Sequence, residues 1–295
     1  MPPVFGDLQR QNASRLIDLA MSEDLGVEGD VTTQLTIPSD AKGAARFVAR
    51  QAGVMAGLPV VAMLAERVGL NFQLARDVRD GLPVQAGDEV ARVEGLMWDL
   101  LGSERIALNF VQRLSGVATL TARYVATIEG TRAAIFDTRK TTPGWRALEK
   151  YAVTCGGGRN HRYGLHDAVL IKDNHLAALS DVANPVARAV ELAREGARPG
   201  TVVEIEVDTM EQFRLALEAR PDIILLDNFG SNQLAEAVHL RDASAKDVEL
   251  EASGGITLET VRGLAMSGVD RISVGALTHS APSLDVGLDF VEKTR

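Results

Sequence analysis

One pattern repeats through the second half of the chain. Short apolar runs, AAIFD (133–137), AVLIK (168–172), VVEIEV (202–207), DIILLD (222–227), VELEAS (248–253) and RISVG (271–275), alternate with segments of helical spacing. Strands that alternate with helices form βαβ units, whose crossovers keep one hand and build a parallel sheet. Six such strands make either a doubly wound open sheet or a barrel short of its eight. The polar residues discriminate between these. The strands end in Asp137-Thr138-Arg139-Lys140, Lys172-Asp173-Asn174, Glu206, Asp227-Asn228, Ser253-Gly254-Gly255 and Gly275-Ala276. A doubly wound sheet places chemistry only at its switch point, whereas a barrel draws on the C-terminal ends of many strands. The pattern therefore predicts an incomplete, open α/β barrel.

The first hundred residues differ. A helix is expected over 8–23, a second in LPVVAMLAERVG ending at Gly69, and strands in ARFVARQ (45–51), NFQLARDV (71–78) and DEVARVEG (88–95). Such a mixture reads as an α+β layer. Residues 97–129 have helical spacing, with a break or bend expected at Ser115-Gly116.

Charge is unevenly placed. The chain carries a formal −9, yet between Asp137 and His175 seven Lys and Arg face four Asp and Glu, with three of the five histidines alongside. An acidic protein is poorly suited to nucleic acid or to an anionic membrane, which are held by excess Lys and Arg. The local cations must therefore serve a small anion. The lone Cys155 permits no internal disulfide and reads as a packed thiol. The N-terminal MPPVFGDLQRQ lacks the basic and apolar regions of a signal peptide, and no run of about 18 apolar residues occurs, so a cytoplasmic protein is expected.

Arg139, Arg162 and Lys172 lie at or near strand ends, where a desolvated positive charge is costly unless an anion meets it. Arg offers a planar fork to a carboxylate and Lys a mobile point charge, so several of them at one mouth imply a polyanionic substrate. Each could instead pair with a local acid, but the acids are too few for all of them. His161 is assigned to binding and His175 is left without a role. Glu206 and Asp227 occupy comparable points of successive strands and suit Mg²⁺, which takes one or two carboxylates and completes its shell with water and phosphate oxygens. A salt bridge to the cations is the alternative. SGGIT (253–257), with Thr257 as a helix N-cap, and VGAL (274–277) are strand-to-helix turns suited to a phosphate, in the place where barrels commonly bind one.

DTRKTTPG, EKYAV, GGGRNHR, LIKDNH, VEIEV, IILLDNF, SGGI and VGALTHS occur here in an order and spacing that resembles the quinolinate phosphoribosyltransferases, from about Asp24 to Asp289. The resemblance implies an N-terminal α+β sandwich domain over 1–115, joined by a C-terminal helix at 281–295, and a barrel over 116–280. It implies conversion of quinolinate and phosphoribosyl pyrophosphate to nicotinate mononucleotide, pyrophosphate and CO2, with Mg²⁺ and a homodimer or higher homo-oligomer. By motif match, Arg139, Arg162, Lys172 and His161 would hold the quinolinate carboxylates. Lys140 would lie beside the phosphoribosyl group and its pyrophosphate, with Thr138 in the same binding set. Glu206 and Asp227 would serve the metal and the ribose hydroxyls, while Ser253, Gly254, Gly255, Gly275 and Ala276 would cradle the 5-phosphate. Arg105 matches an arginine that reaches into the neighbouring subunit's site. Lys172 would also stabilise the carbanion left by decarboxylation.

Three other readings use the same residues. A desolvated Lys172 at a barrel strand end would suit a Schiff-base aldolase, a phosphate-ligand sensor would bind without turnover, and a related transferase would take another aromatic acid, as the molybdenum-transport-associated paralogue does.

Overall fold

The computed structural model describes residues Pro3 to Val291. In chain order the elements begin with α1 (Asp7–Leu25), α2 (Val31–Thr36), β1 (Lys42–Ala49), β2 (Gly53–Val54), α3 (Leu58–Arg67), β3 (Asn71–Leu74), β4 (Pro83–Val84) and β5 (Glu89–Leu96). There follow α4 (Met97–Thr127), β6 (Ala134–Phe136), α5 (Arg146–Cys155), β7 (Val169–Ile171), α6 (Asp173–Ala177), α7 (Pro185–Gly196), β8 (Val203–Val207) and α8 (Met210–Ala219). The last are β9 (Ile223–Asp227), α9 (Ser231–Ser244), β10 (Glu249–Ser253), α10 (Val261–Met266), β11 (Arg271–Ser273), α11 (Ala276–His279) and β12 (Val286–Phe290). The chain divides into two units, one running through Ala122 with Thr141–Gly157 and the residues from Ala276 onward, the other Arg123–Lys140 with Gly158–Gly275. No helix among the described residues is long and apolar enough to cross a membrane.

The first unit is α+β. Its antiparallel sheet has the order β12-β1-β5-β3, and alternation in β1 buries Ala45, Phe47 and Ala49. The Asp80 carboxylate accepts the Gly57 and Leu58 N–H groups at the start of α3, and the Tyr151 hydroxyl donates to it at 2.8 Å. A buried acid thereby satisfies donors that a helix cannot pair internally.

Two expectations are corrected here. The bend at Ser115-Gly116 does not occur, since α4 runs unbroken from Met97 to Thr127. Gly116 instead admits a neighbouring strand of chain, because a Cβ there would sit 2.1 Å from the Pro282 carbonyl oxygen. The Ser115 hydroxyl, likewise, accepts the Ala56 N–H at 3.0 Å. The C-terminal helix expected at 281–295 is also absent from the described residues. Val286–Phe290 forms β12 and pairs antiparallel with β1, Phe47 opposite Leu288 and Ala49 opposite Val286. Alternation of Val286, Leu288 and Phe290 suits an edge strand, and Gly287 weakens a helix there by about 1 kcal/mol. Residues 292–295 lie outside the described residues.

The second unit is the incomplete α/β barrel. All six anticipated strands form one parallel sheet in the order β6-β11-β10-β9-β8-β7. In β8 one face carries Val203, Ile205 and Val207, each at most 1% exposed, and the other carries Glu204 and Glu206. Each such apolar side chain contributes about 1.5–3 kcal/mol on full burial. In β10, Leu250 and Ala252 share the apolar phase while Glu249, Glu251 and Ser253 share the other. The acidic phases of β8 and β10 thus lie on either side of β9, whose Leu225 is in register with both Glu206 and Glu251.

Candidate active site

The cations are gathered by a segment that follows no regular element. Arg159 lies parallel to β6, donating its N–H to the Ile135 carbonyl at 2.8 Å and accepting the Asp137 N–H at 3.1 Å. The fully buried Asp137 carboxylate then accepts the His161 N–H at 2.9 Å. Beyond this, the Tyr163 and Gly164 N–H groups donate to Asp167 at 2.6 and 2.8 Å. Burial would raise the Asp167 carboxyl, but those two N–H donors outweigh it and hold its pKa low. The glycine-rich connection is thus a fixed bridge from the β6 edge towards β7.

Arg162 is half-buried, its Nη1 donating to the Ala168 carbonyl at 3.3 Å. Burial and then the charge of Arg139 hold its pKa below the ordinary arginine value. The two half-buried guanidinium groups thus lie close enough for their charges to repel. The Nε of Arg139 is buried without a hydrogen-bond partner in the protein, leaving a donor that a carboxylate can satisfy. Lys172, the residue after β7, forms an ion pair with Glu206 of β8. Its own N–H donates to His175 Nδ1 at 2.9 Å, so His175 closes the first turn of α6 and fixes the approach of Lys172.

Glu206 and Asp227 lie on one face of adjacent strands. Glu206 is in register with Leu225, two residues before Asp227, and a period of two puts both carboxylates on the same side. Two hard oxygen donors on one side of the sheet are of the kind Mg²⁺ takes, although Glu206 is here in the salt bridge to Lys172 that was the alternative reading. Asp227 Oδ2 accepts from the Asn228 side-chain amide at 2.7 Å, and the Asn228 N–H donates to the Ser253 carbonyl at 2.9 Å. That contact needs Gly254, at φ 97°, because a Cβ there would stand 2.1 Å from Asn228 Oδ1. Thr257 is not the cap expected of it, since α10 starts only at Val261 and Thr257 donates its N–H to Thr260 Oγ1 at 3.0 Å.

Thr138, Arg139, His161, Arg162, Lys172, Glu206, Asp227, Ser253, Gly254, Gly255 and Gly275 all belong to the barrel unit, as does the exposed Lys140 at its boundary. Thr138 Oγ1 accepts the Lys140 N–H at 3.0 Å. Ala276 and Arg105 belong to the other unit, Ala276 opening α11 directly after Gly275 and Arg105 lying exposed on α4. The buried Cys155 has its thiol pushed up by burial, as suits a packing role.

His161, expected to hold a substrate carboxylate, has protein partners at both ring nitrogens. Its Nε2 faces Glu204 Oε2 at 3.0 Å and Glu251 Oε1 at 3.5 Å, while Nδ1 accepts the Arg162 N–H at 2.8 Å. Burial pulls the imidazole pKa down and the two carboxylates more than offset it. The carboxylates favour a second ring proton, whereas the Arg162 N–H at 2.8 Å occupies the Nδ1 lone pair that would take it; this hydrogen bond decides for the Nε2–H ring. Glu251 accepts from Arg271 Nε at 2.5 Å, and burial followed by the charge of Glu204 pushes its carboxyl up. These ligand atoms of His161, Glu204 and Glu251 lie within 4.8 Å of one another. Glu204, Glu251 and Arg271 were not singled out in the sequence. The signal was present in VEIEV, where Glu204 shares the phase of Glu206 and is flanked by strand residues of the opposite face.

Comparison with known proteins places the chain in one family over both of its halves. Residues 30–115 match the family model described as quinolinate phosphoribosyl transferase, N-terminal domain, and residues 117–289 match its C-terminal domain. A nicotinate-nucleotide pyrophosphorylase (carboxylating) of Mycobacterium leprae is 44% identical over 289 residues, covering 97% of this chain and 100% of that protein. A probable nicotinate-nucleotide pyrophosphorylase (carboxylating) of Bacillus subtilis is 39% identical, covering 93% and 92%. The solved structure of the nicotinate-nucleotide pyrophosphorylase from Francisella tularensis superposes with a TM-score of 0.87 at 34% identity, covering 95% of this chain and 96% of that one.

Proposed function

The chain belongs to the quinolinate phosphoribosyltransferase family, and we propose that the barrel mouth is where its reaction is carried out. The protein is a pentosyltransferase that joins quinolinate to phosphoribosyl pyrophosphate with decarboxylation, giving nicotinate mononucleotide, pyrophosphate and CO2 in NAD biosynthesis.

Arg139, Arg162 and Lys172 bind the two quinolinate carboxylates, with His161 behind Arg162. The observation that carries this is the repulsion between the half-buried Arg139 and Arg162 guanidinium groups, with the Arg139 Nε unpaired. A dianion relieves both conditions at once. So held, the ring nitrogen is presented to ribose C1, the new C–N bond forms, and the bond from C1 to the pyrophosphate oxygen breaks. Lys140 lies beside the phosphoribosyl group and the departing pyrophosphate. Ser253, Gly254, Gly255, Gly275 and Ala276 receive the 5-phosphate, and Thr138 steadies the Lys140 backbone. Glu206 and Asp227 hold Mg²⁺, which when bound neutralises charge on the leaving group. Loss of CO2 then breaks a carbon–carbon bond and leaves electron density that the Lys172 ammonium stabilises until that carbon takes a proton. The chain acts in the cytoplasm as a homodimer in which Arg105 is contributed across the interface.

The test is an assay for nicotinate mononucleotide from quinolinate and phosphoribosyl pyrophosphate, with nicotinate as the control acid. Turnover of quinolinate alone, lost on chelation and restored by Mg²⁺, is expected. Equal turnover of nicotinate, or turnover indifferent to chelation, would contradict the respective assignments.

A further inference from the structure

Two carboxylates converge on one imidazole beneath the mouth. Glu204, 2% exposed, and Glu251, fully buried, come from β8 and β10, separated by β9. Removing two carboxylates from water costs several kcal/mol each unless donors meet them. Arg271 meets Glu251 through Oε2, and Glu251 Oε1 makes no hydrogen bond. His161 Nε2 faces both carboxyl groups, at 3.0 Å from Glu204 and 3.5 Å from Glu251, and the charges of Arg162 and Arg271 also act on Glu204.

A neutral imidazole donates from one nitrogen and accepts at the other. With the proton drawn to Nε2 by two carboxylates, Nδ1 is left as an acceptor, and the group it accepts is the N–H of Arg162 at 2.8 Å. The Arg162 backbone is thereby fixed at its N–H while its guanidinium is fixed through Nη1 at Ala168. The acidic pair therefore controls, through one ring, the direction in which Arg162 points.

We infer that Glu204 and Glu251 are positioning residues for the acid substrate, holding His161 as its Nε2–H tautomer so that Nδ1 clamps the backbone of Arg162 and aims its guanidinium. This rests on the reading of Arg162 as a carboxylate-binding residue. It predicts an effect confined to the acid, because neither glutamate is connected in this way to the groups assigned to the phosphoribosyl donor.

The experiment uses the full chain and its Glu204→Leu, Glu204→Gln, Glu251→Gln and Arg162→Ala variants. Glu204→Leu should raise the KM for quinolinate on the order of tenfold to a hundredfold, the range for a lost hydrogen bond to a charged group, and leave that for phosphoribosyl pyrophosphate unchanged. Glu204→Gln, whose amide oxygen still accepts from Nε2–H, should recover most of the loss, and Glu251→Gln should show a smaller shift of the same kind. Side-chain ¹⁵N spectra of the unsubstituted protein, read without turnover, should show His161 protonated at Nε2 alone. An imidazolium or Nδ1–H ring overturns the proposal, as does an equal rise in both KM values in Glu204→Leu and Glu251→Gln. An unchanged quinolinate KM in Arg162→Ala would instead remove the carboxylate assignment on which it rests.

Discussion

Lys172, at the end of β7, and Glu206, in the neighbouring β8, hold each other's charge across the barrel mouth. In the proposed reaction, binding of a substrate carboxylate by Lys172 and of a cation by Glu206 would exchange this one pair for two. The pair is thus a ready source of both charges, and little of the fold depends on it, since the Lys172 side chain is 42% exposed. Lys172→Met should lower kcat on the order of 10²–10³-fold, the scale for removing one group that stabilises developing charge. Urea unfolding should change by less than about 1 kcal/mol. Lys172→Arg should not restore the rate, because a planar fork does not replace a compact ammonium. Full activity in the arginine variant would show that only charge is needed.

Gly254 supports the Asp227 carboxylate indirectly. A Cβ at this position would collide with Asn228 Oδ1 and approach the Asn228 N within 2.9 Å, and Asn228 is the residue that donates to Asp227. The backbone at φ 97° adds about 1–3 kcal/mol of strain for any L side chain. Gly254→Ala should therefore lower unfolding stability by that amount and raise the KM for phosphoribosyl pyrophosphate more than that for quinolinate. Kinetics in which both constants stay at their original values would separate this turn from donor binding.

Asp270 locks the base of the barrel. Its carboxylate accepts the Leu250 N–H at 2.9 Å and Arg241 Nη1 at 2.7 Å, and pairs also with Arg132. Burial raises its pKa, but the Leu250 N–H and the two arginines more than reverse that, so the folded value lies below the ordinary carboxylate range. A depressed acid stabilises the fold above its unfolded pKa and loses that stabilisation as pH falls through the folded one. Asp270→Asn leaves the 1%-exposed Arg241 side chain with a weaker partner and should cost about 3–5 kcal/mol at neutral pH. The gap to the unsubstituted protein, followed by urea unfolding, should narrow as pH drops below the carboxylate range. A gap constant with pH would mean that Asp270 acts by shape alone.

The barrel strands were legible because a parallel strand covered on both sides needs an apolar run, as in IILLD of β9, and the run survives in any single window of sequence. The placement of Arg139, Lys172, Glu206 and Asp227 at or just beyond strand ends was legible because it follows from the apolar runs that precede them. Other features depend on partners distant in the chain. β12 is five residues long and takes its identity from β1, some 240 positions earlier, so its local pattern was read as helix. Gly116 signals a close approach by Pro282, which looks in sequence like a helix break. Glu204 and Glu251 become a pair only once β8 and β10 are placed around β9 and His161 is brought back by the Arg159 bridge. Such groupings are set by topology, while periodicity reports only the face on which each residue lies.

Arg105 provides a test of the proposed dimer. It stands exposed on α4, in the first unit, with no ion-pair partner among the described residues, whereas Lys172 belongs to the barrel unit. An exposed arginine that makes no ion pair, even with the adjacent Glu104, serves either solvent or a group on another molecule. If it completes the partner's mouth, Arg105→Ala and Lys172→Ala are each inactive alone but complement each other. A hybrid dimer of the two would contain one site with both residues intact and one with neither. Random exchange makes half of the dimers hybrids, so about a quarter of full activity should return, as follows for a two-fold dimer with two equivalent sites. Subunit exchange is verified separately with differently tagged chains. Demonstrated exchange without recovered activity would place Arg105 in the service of its own chain, and the interface contribution would be withdrawn.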